Sequence, residues 1–472
     1  MHHGTSGSGK LKGESFKQVT RSSSKAKMVS GFITLALLCT TILGCSNNAN
    51  NNAAGSGSSP DASAEGANKY DGVKLTHISM SGSNRPEAYK EFAKAFKEET
   101  GAEVEIIDAP WDQLHDKIIN DIISQSGSYD VMDVDSGWDG EMASQFELLD
   151  PYIEKNKMDM SDLLPIFAKA VGVSSITSGK RYGLPVTGSG IALFYNKEIL
   201  EKLNLQPPAT WDDLLAMLPK LKEGGVTPFT SAGVNIQLPK MFYAAYAPQG
   251  KPLFDKDFNP LFNGPEGIEA INRLKTLYSY APKGYLSMDN PDANVPFMNG
   301  EAAIQIAWPL FILKELDDPN KSKIVGKWGV TVAPGPGNIA PWYTAISKLS
   351  KNKDAAFEWM QFIQSSENAK KLMLDYNNYS VWNSIWSDEE VKSKVPAAEV
   401  VKEANNASFF PTFFQHPKGI EWFSNSGGFL SAAIFGQTTP EAALKQMEDD
   451  WNKLKANSKI PEGLIYEELS AE

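Results

Sequence analysis

Cys45 is the residue whose chemistry its surroundings define most closely. It ends the run Ile42-Leu43-Gly44-Cys45 at the close of an apolar stretch from Met28 to Leu43, with Arg21, Lys25 and Lys27 before it and a polar tract after it. A basic flank, one apolar segment and a small residue beside the cut describe an export signal. The segment is shorter than the roughly 20 apolar residues a spanning helix needs. The pattern is similar to a bacterial lipobox, in which the cysteine thiol is diacylated and becomes the first residue after cleavage. Two acyl chains hold a protein stably at a membrane where one does not. An ordinary secretory signal with an incidental cysteine is the alternative. Other reactive groups are sparse. Past Cys45 the histidines are His77, His115 and His416, with no pair at metal-ligand spacing. The sequence has no Gly-x-Ser-x-Gly, no His-Glu-x-x-His and no Walker-type loop. Asp130, Asp133 and Asp135 lack the twelve-residue pattern of a calcium loop, and Gly188-Ser189-Gly190 is too short for a nucleotide fingerprint. Two carboxylates remote in sequence would suffice for a glycosidase, so motifs alone leave that activity open.

Composition narrows the partners. Of the two cysteines, Cys39 lies inside the apolar segment and Cys45, at its end, has its thiol acylated in the lipobox reading, so no disulfide forms in the mature chain. About 400 residues bury enough surface to fold without one, and they suggest two lobes. Residues 1–45 carry six basic side chains and one acidic; the 39 basic and 56 acidic side chains that follow give a net charge of −17. Such a balance argues against a nucleic-acid partner. His2, His3 and the Gly/Ser run to Gly9 read as a tag or an upstream extension, so 1–45 is expected to be that extension plus a lipoprotein signal peptide. Residues 46–69, almost all Asn, Ala, Ser and Gly to position 68, cannot bury an apolar face and read as a disordered tether. As a coil it would hold the folded body on the order of 25–30 Å from the membrane.

From Tyr70 the periodicity becomes α/β. Val73, Leu75, Ile78 and Met80 make a strand, and Tyr89, Phe92, Ala93 and Phe96 the inner face of a helix, with Pro86 in its first turn and Gly101 at its end. A strand over Val104–Ile107, a helix with Leu114, Ile118 and Ile122 inside, and a strand over Tyr129–Val134 follow. The alternation predicts a parallel sheet whose carboxyl-end loops hold the ligand. Those loops are Ser81–Arg85, Ala109–Asp112 and Asp135–Trp138, each with groups able to bind a polyol.

Further along, Gly179-Lys180-Arg181-Tyr182-Gly183-Leu184-Pro185 precedes Ile191-Ala192-Leu193-Phe194-Tyr195-Asn196-Lys197. Later segments are Pro207-Pro208-Ala209-Thr210-Trp211-Asp212-Asp213-Leu214, Phe297-Met298-Asn299-Gly300-Glu301-Ala302-Ala303-Ile304, and Ala345-Ile346-Ser347 with Lys351-Asn352-Lys353-Asp354-Ala355-Ala356. In this order, after a lipobox and an Asn/Ser tether, they resemble extracellular solute-binding proteins of family 1, the maltose-binding-protein-like receptors of ABC sugar importers. The resemblance implies a two-lobed α/β fold with a ligand cleft between lobes, crossed three times by the chain. It implies lobe 1 over 70–186 and 340–381 and lobe 2 over 187–339 and 382–472, with crossings near Pro185–Gly188, Ala340–Tyr343 and Tyr379–Asn383. It also implies a carbohydrate ligand and ABC permease partners; no cofactor and a monomer are expected, and the lipobox and tether point to a lipid-anchored place on the outer face of a Gram-positive type of membrane. Each segment also has a packing role: Thr210 caps a helix that Trp211 begins, Phe357 and Trp359 sit in another helix, and Trp451 belongs to an apolar stripe with Leu444, Met447 and Leu454.

A neutral sugar presents hydroxyls and a C–H face, so its site needs aromatic plates with donors and acceptors around the rim. Of the eleven tryptophans, Trp138, Trp308, Trp342 and Trp422 are expected in loops or at strand ends facing the cleft. The resemblance places Trp138 on the first lobe and Trp308 and Trp422 on the second; Trp422 with Phe423 is read as preceding a Gly427-Gly428 turn. Asp135 either accepts sugar hydroxyls or caps the next helix, with Ser136 beside it. Trp342 and Tyr343 lie at a crossing and either contact ligand or fill the hinge. Trp111 and Asp112 are rim candidates, and Asn84, Arg85, Thr187 and Tyr379 complete the set; Arg85 has a surface carboxylate as its alternative partner. No metal ligands or catalytic residues are expected. Iron, polyamine and phosphonate carriers are the non-sugar alternatives, and a glycan sensor or adhesin without a transporter is a third.

Overall fold

The computed structural model describes residues 68–170, 180–335, 337, 339 and 341–458. All belong to one compact unit spanning Ala64–Glu472. The signal region with Cys45, and the expected tether except its last two residues, lie outside the described residues.

Two sheets organise the fold. The first runs in the order β2 (Glu103–Ala109), β1 (Lys74–Met80), β3 (Val131–Asp135), β9 (Trp342–Ile346), β4 (Leu184–Thr187). The second runs β6 (Thr227–Thr230), β7 (Ala302–Ala307), β5 (Ala192–Asn196), β8 (Trp328–Val332). The chain passes from the first sheet to the second between Thr187 and Ala192 and returns between Val332 and Trp342. Past that point the helix Ser366–Leu374 packs on the helix Arg85–Thr100, whereas the helix Ala398–Asn406 packs on β8.

The expectation of a parallel first sheet holds for β1, β2 and β3 and fails at β9, which runs antiparallel to both β3 and β4. The reason is topological. A strand that enters the first sheet from the second arrives at the carboxyl edge of β3, and from there it can only run backwards.

Local sequence explains the elements that frame this edge. The helix Arg85–Thr100 has Pro86 in its first turn and ends at Gly101, whose φ of 84° lets its N–H reach back to Lys97 O. Tyr89, Phe92 and Phe96 form its buried face. The helix Trp111–Ser124 begins directly after Pro110 and buries Leu114 and Ile118. Thr210 and Asp213 form a reciprocal capping box at the head of the helix Trp211–Glu223. Phe357 and Trp359 are fully buried in the helix Lys353–Ile363, and Trp451 is buried in the helix Pro440–Ala456.

One reading is overturned. Gly427 and Gly428 make no turn; they lie inside a 16-residue helix, Gly419–Ile434, that also carries Trp422. A Cβ at Gly427 would stand 2.1 Å from Asn235 O, so the glycine lets the helix press against the short 3-10 turn Asn235–Gln237.

Candidate functional site

Strand register brings several candidates to one edge. Asp135 ends β3 opposite Trp342, the first residue of β9, and Thr187 at the end of β4 pairs with Trp342 from the other side. Ser136 N donates to Pro341 O at 3.1 Å, fastening the turn after β3 to the incoming chain.

Asp135 is held from two directions. Trp111 Nε1 donates to Oδ2 at 2.9 Å and Gly137 N donates to Oδ1 at 2.8 Å. The carboxylate therefore caps the turn Ser136–Trp138, one of its two expected roles, while each oxygen keeps a further lone pair. Burial pushes its pKa up, against the bonds from Gly137 and Trp111 and the charges of Lys240 and Arg85.

Three tryptophans gather beside it. Trp138 is fully buried, with ring centroids 5.4 Å from Trp111, 5.7 Å from Trp342 and 5.2 Å from His115. Its indole N–H has no partner among the described residues. Trp111 and Trp342 are half-buried. Trp138 thus braces these two.

Behind this group lies a buried ionic cluster. Arg85 Nε donates to Asp133 Oδ2 at 2.8 Å, Ser79 Oγ donates to the same oxygen at 2.5 Å, and His77 Nε2 meets Oδ1 at 3.1 Å. Trp359 Nε1 lies 3.1 Å from His77 Nδ1, which as the acceptor leaves the ring proton on Nε2, facing Asp133. Burial alone would raise the Asp133 carboxyl; the Arg85 charge and the bonds from His77 and Ser79 outweigh it and hold it below its ordinary value. The Arg85 guanidinium also stacks 4.5 Å over the Trp342 ring. Its carboxylate partner is therefore a buried one, contrary to the surface pairing considered from sequence.

The other candidates sit around or behind the edge. Asn84 precedes the first helix with a φ of 62° and donates to Tyr376 O at 3.2 Å. Asp112 is exposed in the first turn of its helix. Thr187 Oγ1 donates to Tyr379 O at 2.9 Å, and the Tyr379 hydroxyl is buried with no partner among the described residues. Tyr343 is fully buried and its hydroxyl donates to Asp139 Oδ1. Burial pushes the Asp139 carboxyl well up against that bond, and it pushes the Tyr343 phenol up as well.

On the second sheet Ala192 pairs with Ala307 and with Val332, so Trp308 follows at the end of that strand, buried rather than open at the cleft as expected. It borders a recess with Ile191, Ser231, Gln237, Lys240 and Asn290. Trp422 lies deeper than the loop position expected for it. Its helix places it among Phe254, Phe262, Phe413 and Trp451, with Nε1 donating to Met447 O at 2.9 Å. It touches an apolar recess that also reaches Lys240. Lys240, Gln237 and Asn290 were missed from sequence. The available signal was a single charge in the otherwise apolar helix Leu238–Tyr246.

The model of the bacterial extracellular solute-binding protein family matches residues 82–370. A probable amino-acid ABC transporter periplasmic-binding protein of Sinorhizobium fredii is 25% identical over 66% of this chain and 74% of its own. An arabinooligosaccharide-binding protein of Bacillus subtilis is 25% identical over 60% of this chain and 67% of its own. Among solved structures, an ABC transporter solute-binding protein of Agrobacterium radiobacter in complex with ribitol has a TM-score of 0.70 at 23% identity, covering 82% of this chain and 99% of its own. A maltose-bound protein of T. maritima also has a TM-score of 0.70 at 23% identity, covering 81% of this chain and all of its own. These structures share the two-lobed periplasmic binding-protein fold. The chain belongs to the bacterial extracellular solute-binding protein family, whose members are ABC-transporter binding proteins rather than enzymes and work in extracellular or periplasmic space.

Proposed function

We propose that the protein is the receptor of an ABC importer for a neutral mono- or oligosaccharide, which it captures between its lobes and hands unaltered to the permease subunits. The observation that carries this reading is the pair of facing chemistries. At the edge of the first sheet Asp135 stands among Trp111, Trp138 and Trp342, and at the edge of the second Trp308 borders a polar recess containing Lys240, whose charge is felt by Asp135. Indole faces suit sugar C–H groups, and a carboxylate opposite an ammonium suits their hydroxyls. The ribitol and maltose complexes of structural relatives and the named ligand of the B. subtilis relative point the same way. Closure then follows if the ligand binds both walls more tightly than either alone.

In this reading cleavage after Gly44 removes 1–44, Cys45 carries the lipid on the outer face of a Gram-positive type of membrane, 46–69 is the tether, and the monomer's lobes are 70–186 with 340–381 and 187–339 with 382–472. A non-sugar solute is the second reading, favoured by the name of the S. fredii relative. Thermal-shift measurement of the purified protein against ribitol, mannitol, glucose, maltose, arabinooligosaccharides, amino acids and polyamines separates the two. A rise in melting temperature with a carbohydrate alone is expected, and product analysis after prolonged incubation should return that carbohydrate intact. A rise with amino acids or polyamines alone contradicts the proposal, as does hydrolysis.

A further inference from the structure

The nine-residue helix Leu238–Tyr246 is buried at every position except Lys240, its one charged residue. An ammonium has three donors. Gln237 Oε1 takes one at 2.7 Å, and among the described residues nothing else accepts from Lys240. The amine stands 5.0 Å over the Trp308 ring, in the recess shared with Ser231 and Asn290. The acids whose charges reach it are Asp135, on the first sheet, and Asp289, at the head of the helix Asn290–Met298.

Lys240 is half-buried, and a cation partly removed from water with two donors unmatched among the described residues costs more there than a methionine would. Those donors point to a partner that none of the described residues supplies. Because two carboxylates flank the one ammonium, an anionic ligand would gain one attraction against two repulsions, and a neutral hydroxyl avoids the conflict.

We infer that Lys240 is a ligand-binding, specificity-determining residue of the second lobe, donating to one hydroxyl of a neutral carbohydrate whose neighbouring hydroxyl donates to Asp135 on the first lobe. The inference rests on the carbohydrate reading above and adds a residue, a hydrogen-bond direction and a ligand charge to it. Lys240 and Asp135 then act as a two-lobed clamp on a vicinal diol, and each gains its ligand contact fully only when the other does. Burial, opposed by Asp135 and Asp289, lowers Lys240 to about 8, so the clamp should weaken as the ammonium loses its proton above neutral pH.

The test is calorimetric titration of wild type and Lys240→Met with glucose, maltose, ribitol, arabinooligosaccharides and glucuronate at pH 7 and pH 9. The neutral carbohydrate that wild type binds should bind Lys240→Met at least ~10-fold more weakly at pH 7. Wild-type affinity should fall from pH 7 to pH 9, whereas that of the variant stays level. Lys240→Gln carries the same expectations if the methionine variant has a lowered melting temperature. Equal affinity in wild type and variant, the same pH profile in both, or tighter binding of glucuronate than of glucose would overturn the assignment of Lys240 while leaving a carbohydrate receptor in place. Failure of wild type to bind any carbohydrate in the set would remove the receptor reading, and the clamp with it.

Discussion

Arg85 divides its guanidinium between the fold and the site. Its Nε holds the buried carboxylate of Asp133, and its plane covers Trp342. A buried ion pair stripped of one partner leaves an uncompensated charge, so Arg85 acts as a support that fixes the orientation of Trp342. Sequence placed Arg85 in the right loop but could not assign its partner, because Asp133 is 48 positions away and only the pairing of neighbouring strands brings the two together. His416 is a clearer case of a titrating group committed to structure. It is buried against Trp451 and Phe258, and Nδ1 accepts the Lys418 N–H at 3.1 Å. Burial, aided by the charges of Lys455 and Lys418, lowers its pKa to about 4. An unfolded histidine titrates near ~6.5, so between these values the unfolded chain binds more protons and stability falls as pH drops from about 6.5 to about 4, by on the order of 3 kcal/mol in total. Urea midpoints of wild type and His416→Gln at pH 7 and pH 4.5 check this: the variant should lose distinctly less stability over the interval, and identical losses would show that His416 does not titrate there.

The helix Gly419–Ile434 shows where local propensity misleads. Gly427 and Gly428 in succession read as a turn, yet the helix continues through them because Gly427 must approach the backbone of Asn235 and the buried face is apolar apart from Ser426, whose hydroxyl donates to Trp422 O within the helix. That packing also turns Trp422 inwards, away from the loop position expected for it. The strands and helices of residues 70–138 were legible because apolar periodicity, Pro86 and Gly101 agree with one another there. The reversal of β9 was not, since strand direction depends on where the chain enters the sheet. The two glycines make a matched experiment. Gly427→Ala should lower stability by roughly 1–3 kcal/mol through overpacking. Gly428→Ala, exposed and with nothing within 4 Å of its added Cβ, should raise it by about 0.5–1 kcal/mol. Denaturant titrations read both directly, and equal effects of the two would contradict the packing explanation.

Across the whole molecule, the two sheets set candidate residues that are far apart in sequence on facing edges. Strand register aligns Asp135, Trp342 and Thr187, although 155 positions separate Thr187 from Trp342. Family signatures fixed the architecture, and the tryptophan count suggested aromatic walls. The division of those tryptophans into half-buried residues (Trp111, Trp342), a brace (Trp138), a recess wall (Trp308) and a core residue (Trp422) depended on packing that no short motif encodes. The most direct test of carbohydrate capture between these edges is a calorimetric titration of the purified protein and its Trp308→Leu variant with maltose, ribitol and arabinooligosaccharides. One of these should saturate wild type at one site per chain, and Trp308→Leu should bind it at least ~10-fold more weakly, consistent with the loss of one stacking contact. Silence from wild type with all three, or a variant that binds as tightly as wild type, would contradict the account.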